Sequence, residues 1–388
     1  MTGVFEQAKF HIGIVTGTVS QAEDCLRGAE QLIKEYGAVK DGGMIQHLTY
    51  PDDFMSQQET FIASVVSLAD DSLMKVIVIN EGVPGTTEAF KRVKAKRPDI
   101  LCLVGNPQED PLVIQSAADF VIDNNFVARG YNMVLVAKQL GAKTFVHVSF
   151  PRHMAVETMG RRRMVMEQAC KDLGLRFVFE TAPDPTSDVG ISGAQQFISE
   201  KVPAWLAKYG PNGEKVAFFT TNDALVEPLI RQLLASKNGM YVETDSPLQG
   251  YPGALGIDFT KESQLPTAEK FAAILKKVEA SVVAKGGAGR FGTWPCSFGF
   301  TLSAGLAEYG KRIVEGTAKK DSMKDLFDAL GKYSPGVKWS GAYYVDQRTG
   351  VSVKNEVLVF MDNYNMGKPG KFLLTTQQKI DPKYYTIK

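Results

Sequence analysis

Short apolar runs rich in β-branched residues alternate with longer stretches of helical periodicity from the start of the chain. Residues 10–16, 44–49, 76–80, 100–105 and 119–123 read as strands, and 21–36, 56–69 and 86–97 as the helices between them. A short helix opens at Asp110-Pro111-Leu112-Val113. The helix over 86–97 stops before Pro98, whose ring disfavours α geometry at Arg97. Strands that are apolar at nearly every position are buried on both faces, and strands separated by helices run parallel.

The pattern then restarts. A helix over 127–140 leads through Gly141 to a strand at 144–149, and a helix over 155–173, closed by Gly174, leads to a strand at 176–181. A helix over 193–209, a strand at 216–221 and a helix over 225–234 follow. Two strand–helix blocks meeting at Asp123-Asn124-Asn125 predict an α/β protein with two doubly wound parallel-sheet lobes. Beyond them the order loosens. Residues 267–284 form a long amphipathic helix, 286–289 a glycine break, and 300–316 and 323–333 two further helices. Strands are expected at 343–346, 357–362 and 372–376, joined by the turns Arg348-Thr349-Gly350 and Lys368-Pro369-Gly370.

Length and composition agree with two lobes. A chain of 388 residues exceeds one ordinary core, and 44% apolar with 22% charged residues is a globular balance. The 44 basic and 43 acidic side chains are spread evenly, so no basic face for nucleic acid is expected. The dense basic cluster Arg161-Arg162-Arg163 falls inside a helix and is expected to be a solvated face. Cys25, Cys102, Cys170 and Cys296 have no metal-ligand spacing, and Cys102 and Cys170 are expected to be small buried hydrophobes. No apolar run reaches the ~20 residues that span a bilayer. The opening Met1-Thr2-Gly3-Val4-Phe5 has no basic-then-apolar leader, so the expectation is either a cytoplasmic protein or one whose export signal was removed.

Several chemistries lack their motifs. The first turn, Thr16-Gly17-Thr18-Val19-Ser20, has one glycine, which is too few for a dinucleotide fingerprint. A phosphate loop, a nucleophile elbow and a zinc-protease helix are all missing, so neither cofactor nor metal is expected. His11, His47 and His147 fall in strands and read as core or sheet-surface histidines. Ligands of doubly wound sheets bind at the carboxyl ends of strands. In the first lobe that position is held by Thr16, Thr18, Ser20, Tyr50, Asn80, Glu81 and Asn106; in the second by Ser149, Phe150, Arg152, His153, Asp184, Thr221, Asn222 and Asp223. Hydroxyls, amides and aromatic faces suit a small polar organic ligand. Structural roles stay open beside this: Ser20 and Asp223 as helix caps, Asn80 and Asn106 as turn formers, Arg152 in a surface salt bridge, and Asp184 as a loop stiffener between Pro183 and Pro185.

Asp123-Asn124-Asn125-Phe126-Val127-Ala128-Arg129-Gly130-Tyr131, running to Leu140-Gly141-Ala142-Lys143, resembles the lobe crossover of type I periplasmic binding proteins. That superfamily includes ribose receptors and the effector domains of LacI-type repressors. Thr221-Asn222-Asp223-Ala224 is similar to its strand-end Asn-Asp, and the likeness runs from about residue 10 to 258. Ser149-Phe150-Pro151-Arg152-His153-Met154 and Gly250-Tyr251-Pro252-Gly253-Ala254-Leu255-Gly256 resemble a branch of bacterial solute-binding lipoproteins. The resemblance implies three crossings, near 123–125, 256–260 and 290–297, with Asp123 at the first and Trp294 at the last, beside the ligand or packing the hinge. It places residues 1–123 and about 259–292 in an N-terminal lobe and 124–258 with about 293–345 in a C-terminal lobe, leaving 346–388 unassigned. It further implies a monomeric periplasmic or lipid-anchored protein, closing on a sugar-, nucleoside- or heteroaromatic-like solute in a cleft between lobes and passing it to an ABC-type permease or a sensor. The competing readings are an enzyme using Arg152, His153 and Asp184, and a cytoplasmic ligand-sensing domain. No helix-turn-helix segment precedes the first strand, which disfavours a repressor.

Overall fold

A computed structural model describes residues 8–346 and 348–387, so the Met1–Phe5 leader expectation lies outside the described residues. The chain runs β1 (His11–Thr16), α1 (Val19–Tyr36), β2 (Ile45–Thr49), α2 (Gln58–Ser67), β3 (Met74–Asn80), α3 (Thr86–Lys96), β4 (Leu101–Gly105), α4 (Pro111–Ile114) and β5 (Phe120–Asn124). There follow α5 (Phe126–Gln139), β6 (Thr144–Ser149), α6 (Pro151–Ala155), α7 (Glu157–Leu173), β7 (Arg176–Thr181), α8 (Gly190–Tyr209), β8 (Val216–Thr220), α9 (Val226–Ala235) and β9 (Gly239–Tyr241). Then come α10 (Tyr251–Leu255), α11 (Thr267–Ala284), β10 (Gly292–Thr293), α12 (Phe298–Val314), α13 (Met323–Tyr333), β11 (Ser340–Val345), β12 (Ser352–Phe360), β13 (Tyr364–Asn365) and β14 (Lys371–Phe372).

Two compact units result. The first comprises Met1–Asn124, Phe298–Gly336 and Gly341–Val359; the second comprises Asn125–Ser297, Val337–Ser340 and Phe360–Lys388. This division corrects two expectations. Residues 259–292 group with the second unit, and 298–336 with the first. The reason is packing: α12 lies against α1 and β3, so its apolar length is buried among first-unit elements.

The first unit holds a seven-stranded sheet in the order β11-β12-β5-β4-β3-β1-β2, with β1 to β5 and β12 parallel. The second holds a four-stranded parallel sheet, β7-β6-β8-β9, and a small antiparallel sheet, β10-β13-β14. In each parallel sheet the chain order reverses beside the first strand, so β1/β3 and β6/β8 are switch points where loops diverge and leave room for a ligand. Apolar residues cover the sheets as alternation with helices requires. Phe61, Ile62, Val65, Phe90 and Val93 from α2 and α3 pack on Ile77 and Ile79 of β3. Met133, Val134 and Ala137 of α5 and Val165, Met166 and Ala169 of α7 pack with Phe145 of β6.

Arg161 and Arg162 are buried (8% and 4% exposed), which overturns their reading as a solvated face. Arg162 lies 5.0 Å from the centroid of Phe126 and 4.7 Å from that of Phe219, so aromatic faces replace water around its guanidinium. All four cysteines are buried. The strands β9, β10 and β13 escaped prediction because two or three residues carry no period. The helix expected over 155–173 breaks at Val156, whose extended backbone separates α6 from α7.

Gly28 sets how closely α1 approaches α12: a Cβ there would lie 2.5 Å from the Phe300 carbonyl oxygen and 2.8 Å from Ser303 Cβ. In an open helix Gly→Ala stabilises by about 1 kcal/mol. Here Gly28→Ala is expected to destabilise by about 1–3 kcal/mol through overpacking, read as a lower denaturation midpoint in urea. An unchanged or raised midpoint would show that the helices separate freely.

Candidate functional site

At the strand ends of the first unit, Thr16 is buried, donates to the Gly17 carbonyl (3.0 Å) and meets His47 Nε2 (2.9 Å). The Thr18 hydroxyl donates to Asp52. Ser20 is exposed in the first turn of α1 and is not at the N-cap position, which Thr18 occupies. Tyr50 packs edge-on to Phe54 and Phe61 at 5.6 and 6.0 Å, within the core. Asn80 donates to the Gly299 carbonyl (2.7 Å) and Ser303 Oγ (2.8 Å), so its amide anchors β3 to α12.

The next three strand ends form a ladder. Glu81 and Asn106 both adopt positive φ (58° and 47°), a conformation few side chains tolerate. Asn106 Nδ2 donates to both Glu81 oxygens at 2.8 and 2.9 Å, and Asn124 Nδ2 donates to Asn106 Oδ1 at 2.8 Å. Asp123, buried on β5, accepts from the Asn124 amide at 2.7 Å. Asn124 was outside the residues chosen from sequence, because it reads there as part of a crossover.

In the second unit the hydroxyls of Ser149 and Thr221 lie 2.6 Å apart, joining the ends of β6 and β8 at the switch point. His153 Nδ1 lies 3.2 Å from the same Thr221 oxygen, and its ring leans on Phe150 at 4.2 Å. Arg152 stacks over Phe150 (5.3 Å) and donates through Nε and Nη2 to Asp184 at 2.6 and 3.2 Å. Burial works to raise the Asp184 carboxyl, but Arg152 and Thr186 outweigh it and hold it below its ordinary value. His153 is pushed down to about 3, first by burial and then by Arg152. Asn222 rather than Asp223 caps the following turn, accepting from the Ala224 amide (3.0 Å), and Asp223 accepts from Gln249. Six residues chosen from sequence, Ser149, Phe150, Arg152, His153, Asp184 and Thr221, thus form one connected group.

A second group was missed. Arg129 on α5 is buried and pairs with Glu243 (2.6 Å) and Asp245 (3.2 Å), both just beyond β9. Its guanidinium lies 4.7 Å from the Trp294 ring centroid, and Asn363 donates to Glu243 at 3.0 Å. Burial pushes the Glu243 carboxyl up. The available signal was Glu243-Thr244-Asp245 after the apolar run Met240-Tyr241-Val242, too short to read as a strand. Among the described residues no group of three or more His, Cys, Asp or Glu side chains could hold a metal ion, and no helix is long and apolar enough to cross a membrane.

Arg129→Met is expected to destabilise by about 3–5 kcal/mol, because it strands two carboxylates beside apolar walls. Loss of less than 1 kcal/mol in chemical denaturation would show that the pair is solvated. His147 and His153 are both depressed, chiefly by burial, so the unfolded chain binds their protons first as pH falls. The stability His153 contributes is complete above the ordinary histidine pKa and declines from about pH 6.5 toward pH 3, at up to about 1.4 kcal/mol per pH unit, and His147 acts in the same direction. His153→Gln should flatten that slope in melting experiments across the window; an unchanged slope would show that His153 titrates normally.

The profile of the family described as "Protein of unknown function (DUF3798)" matches residues 10–292, and a second family profile matches residues 303–387. Two relatives from Treponema pallidum (strain Nichols), each described as an uncharacterized protein, are 45% identical over 178 residues and 40% identical over 220. These alignments cover 45% of this chain and 80% of the first relative, and 57% and 96% for the second. A solved putative transcriptional regulator from Clostridium difficile 630 superposes with a TM-score of 0.70 at 22% identity, covering 92% of this chain and 99% of that one. An ABC transporter solute-binding protein from Burkholderia graminis, in complex with D-arabinose, gives 0.51 at 14% identity over 81% and 92%. A carbohydrate transporter from Acidothermus cellulolyticus, in complex with myo-inositol, gives 0.51 at 11% over 80% and 89%. At these identities the structural likenesses establish the fold, and the profile establishes the family. The chain belongs to the DUF3798 family, and its fold is that of the type I periplasmic binding proteins.

Proposed function

We propose that this chain is a solute-binding protein, taking a small polar organic ligand at its strand-end residues and delivering it to an ABC-type importer or a sensor at the outer face of a membrane. The observation that supports this reading most is the connected polar group at the β6/β8 switch point, where Ser149, Thr221 and His153 share hydrogen bonds beside the Arg152–Asp184 pair. The fold binds sugars in neighbours such as the D-arabinose complex. Binding proteins of this kind work by shifting a conformational equilibrium toward the ligand-bound form.

The same geometry weakens the enzyme reading. Asp184 is engaged by Arg152 rather than by His153, and a histidine depressed to about 3 is a poor base at neutral pH.

Mass spectrometry of compounds released from the purified chain, followed by calorimetric titration of the compound found, tests the proposal. Thr221→Val and Ser149→Ala, which remove the paired hydroxyls at the β6/β8 switch point, should each weaken binding at least ~10-fold, the loss of one buried hydrogen bond to a polar partner. Unchanged affinity in both variants, or turnover of the compound, would sink the reading.

A further inference from the structure

The two edges of the second unit's parallel sheet are finished differently. At one edge β9 is short, and Tyr241 donates its N–H to the Arg290 carbonyl (3.0 Å) and bridges to Phe291. At the other, β7 pairs with β6 over six consecutive residues without a register shift, and among the described residues no strand pairs with its outer side. Open edges are ordinarily protected by lysine, proline or a bulge. The strand Arg176-Phe177-Val178-Phe179-Glu180-Thr181 has none of these.

Hydrogen bonding fixes which residues turn outward. The Arg176 N–H donates to the Lys143 carbonyl (2.9 Å) and the Ala182 N–H to the Ser149 carbonyl (2.8 Å), both toward β6. Alternate residues of a strand direct their backbone groups to opposite sides, so Phe177, Phe179 and Thr181 present theirs outward. A strand added antiparallel would exchange hydrogen bonds with these residues.

The side chains are disposed evenly about Val178. Arg176 lies 5.2 Å from the Tyr209 ring centroid and Glu180 accepts from the Tyr209 hydroxyl, so both are on the face covered by α8. Phe177 and Phe179 are on the opposite face. There Arg163 lies 3.9 Å from the Phe179 centroid, and Phe177 lines a groove of about 560 Å³ with Met164, Leu175 and Ile387. Arg176 and Glu180 stand two residues either side of Val178. Reversed against itself about that residue, the strand sets arginine opposite glutamate twice and phenylalanine opposite phenylalanine, and both kinds of cross-strand pair are favourable. Sliding by two residues sets Arg176 against Val178 or Ala182 and loses both charge pairs; sliding by one breaks the hydrogen-bond alternation.

We propose that the outer edge of β7 binds a second copy of this chain, antiparallel about Val178, so that two four-stranded sheets become one continuous sheet, contrary to the monomer that the family resemblance implies. Phe177 then exchanges backbone hydrogen bonds with the partner's Phe179, and Arg176 pairs with the partner's Glu180. Sedimentation velocity of the intact chain up to about 100 μM should show a concentration-dependent dimer. Arg176→Glu and Glu180→Arg, in chains whose melting temperatures match the parent, each set like charges opposite one another and should weaken the dimer at least ~10-fold. An equimolar mixture of the two variants, complementary across the junction, should restore it. Mild oxidation should link Val178→Cys chains covalently, because opposed residues outside the hydrogen-bonded pairs have Cα atoms about 4.5 Å apart, and should not link Thr181→Cys chains. The native cysteines are buried. A chain that stays monomeric throughout this range overturns the proposal. So does a dimer that both charge variants leave intact, that their mixture fails to restore, or that links through Thr181→Cys as readily as through Val178→Cys.

Discussion

A parallel strand cannot return by a hairpin, so each must be followed by a crossover, and the crossover helices cover both faces of the sheet. That constraint governs both units of this protein. With the faces sealed by residues such as Ile77, Ile79 and Phe145, polar side chains that need partners are gathered at the strand ends. The strand orders place a switch point beside β1 and another beside β6. Room for a ligand is thereby left at a few loops, above the apolar layers that carry the stability.

The two units solve the problem of polar groups at those ends differently. The first relies on side-chain amides: Asn124 donates to Asn106 and Asn106 to the Glu81 carboxylate across three strands, at the expense of two strained backbones. The second buries cations. Arg129 and Arg162 approach Phe219 at 5.8 and 4.7 Å, and neutral His147 stacks on the same ring at 5.7 Å. Buried ion pairs such as Arg129–Glu243 add little net stability over an apolar pair of equal shape. Their consequence is geometric, because one guanidinium ties α5 to the segment beyond β9 and lies against Trp294.

The helices and longer strands were legible because a pattern sustained over about six or more residues is strong, as at β6, β7, α11 and α13, whose bounds match the reading from sequence. The candidate group around Arg152 was legible for a related reason: it follows directly after an apolar strand, and Pro151 stiffens its start. What failed shared one cause. Arg161 and Arg162 read as solvated because charge in a helix normally faces water, and their aromatic neighbours Phe126 and Phe219 are distant in sequence. Likewise, 298–336 was assigned to the wrong lobe because amphipathicity says that a helix has a partner, and not which one.

Local pattern therefore determined the α/β class, the doubling of the strand–helix block and the strand-end positions where chemistry can collect, since all three depend on residues within one or two turns of each other. Only tertiary structure decided that Asn80 anchors a helix, that Asn222 rather than Asp223 makes the cap, that Arg152 is held by Asp184, and that Arg129 joins Glu243, Asp245 and Trp294. Each of these rests on contacts between residues that are far apart along the chain, or on a choice between two adjacent side chains that propensity ranks equally. Such contacts are set by which surfaces remain to be buried once the sheets have formed.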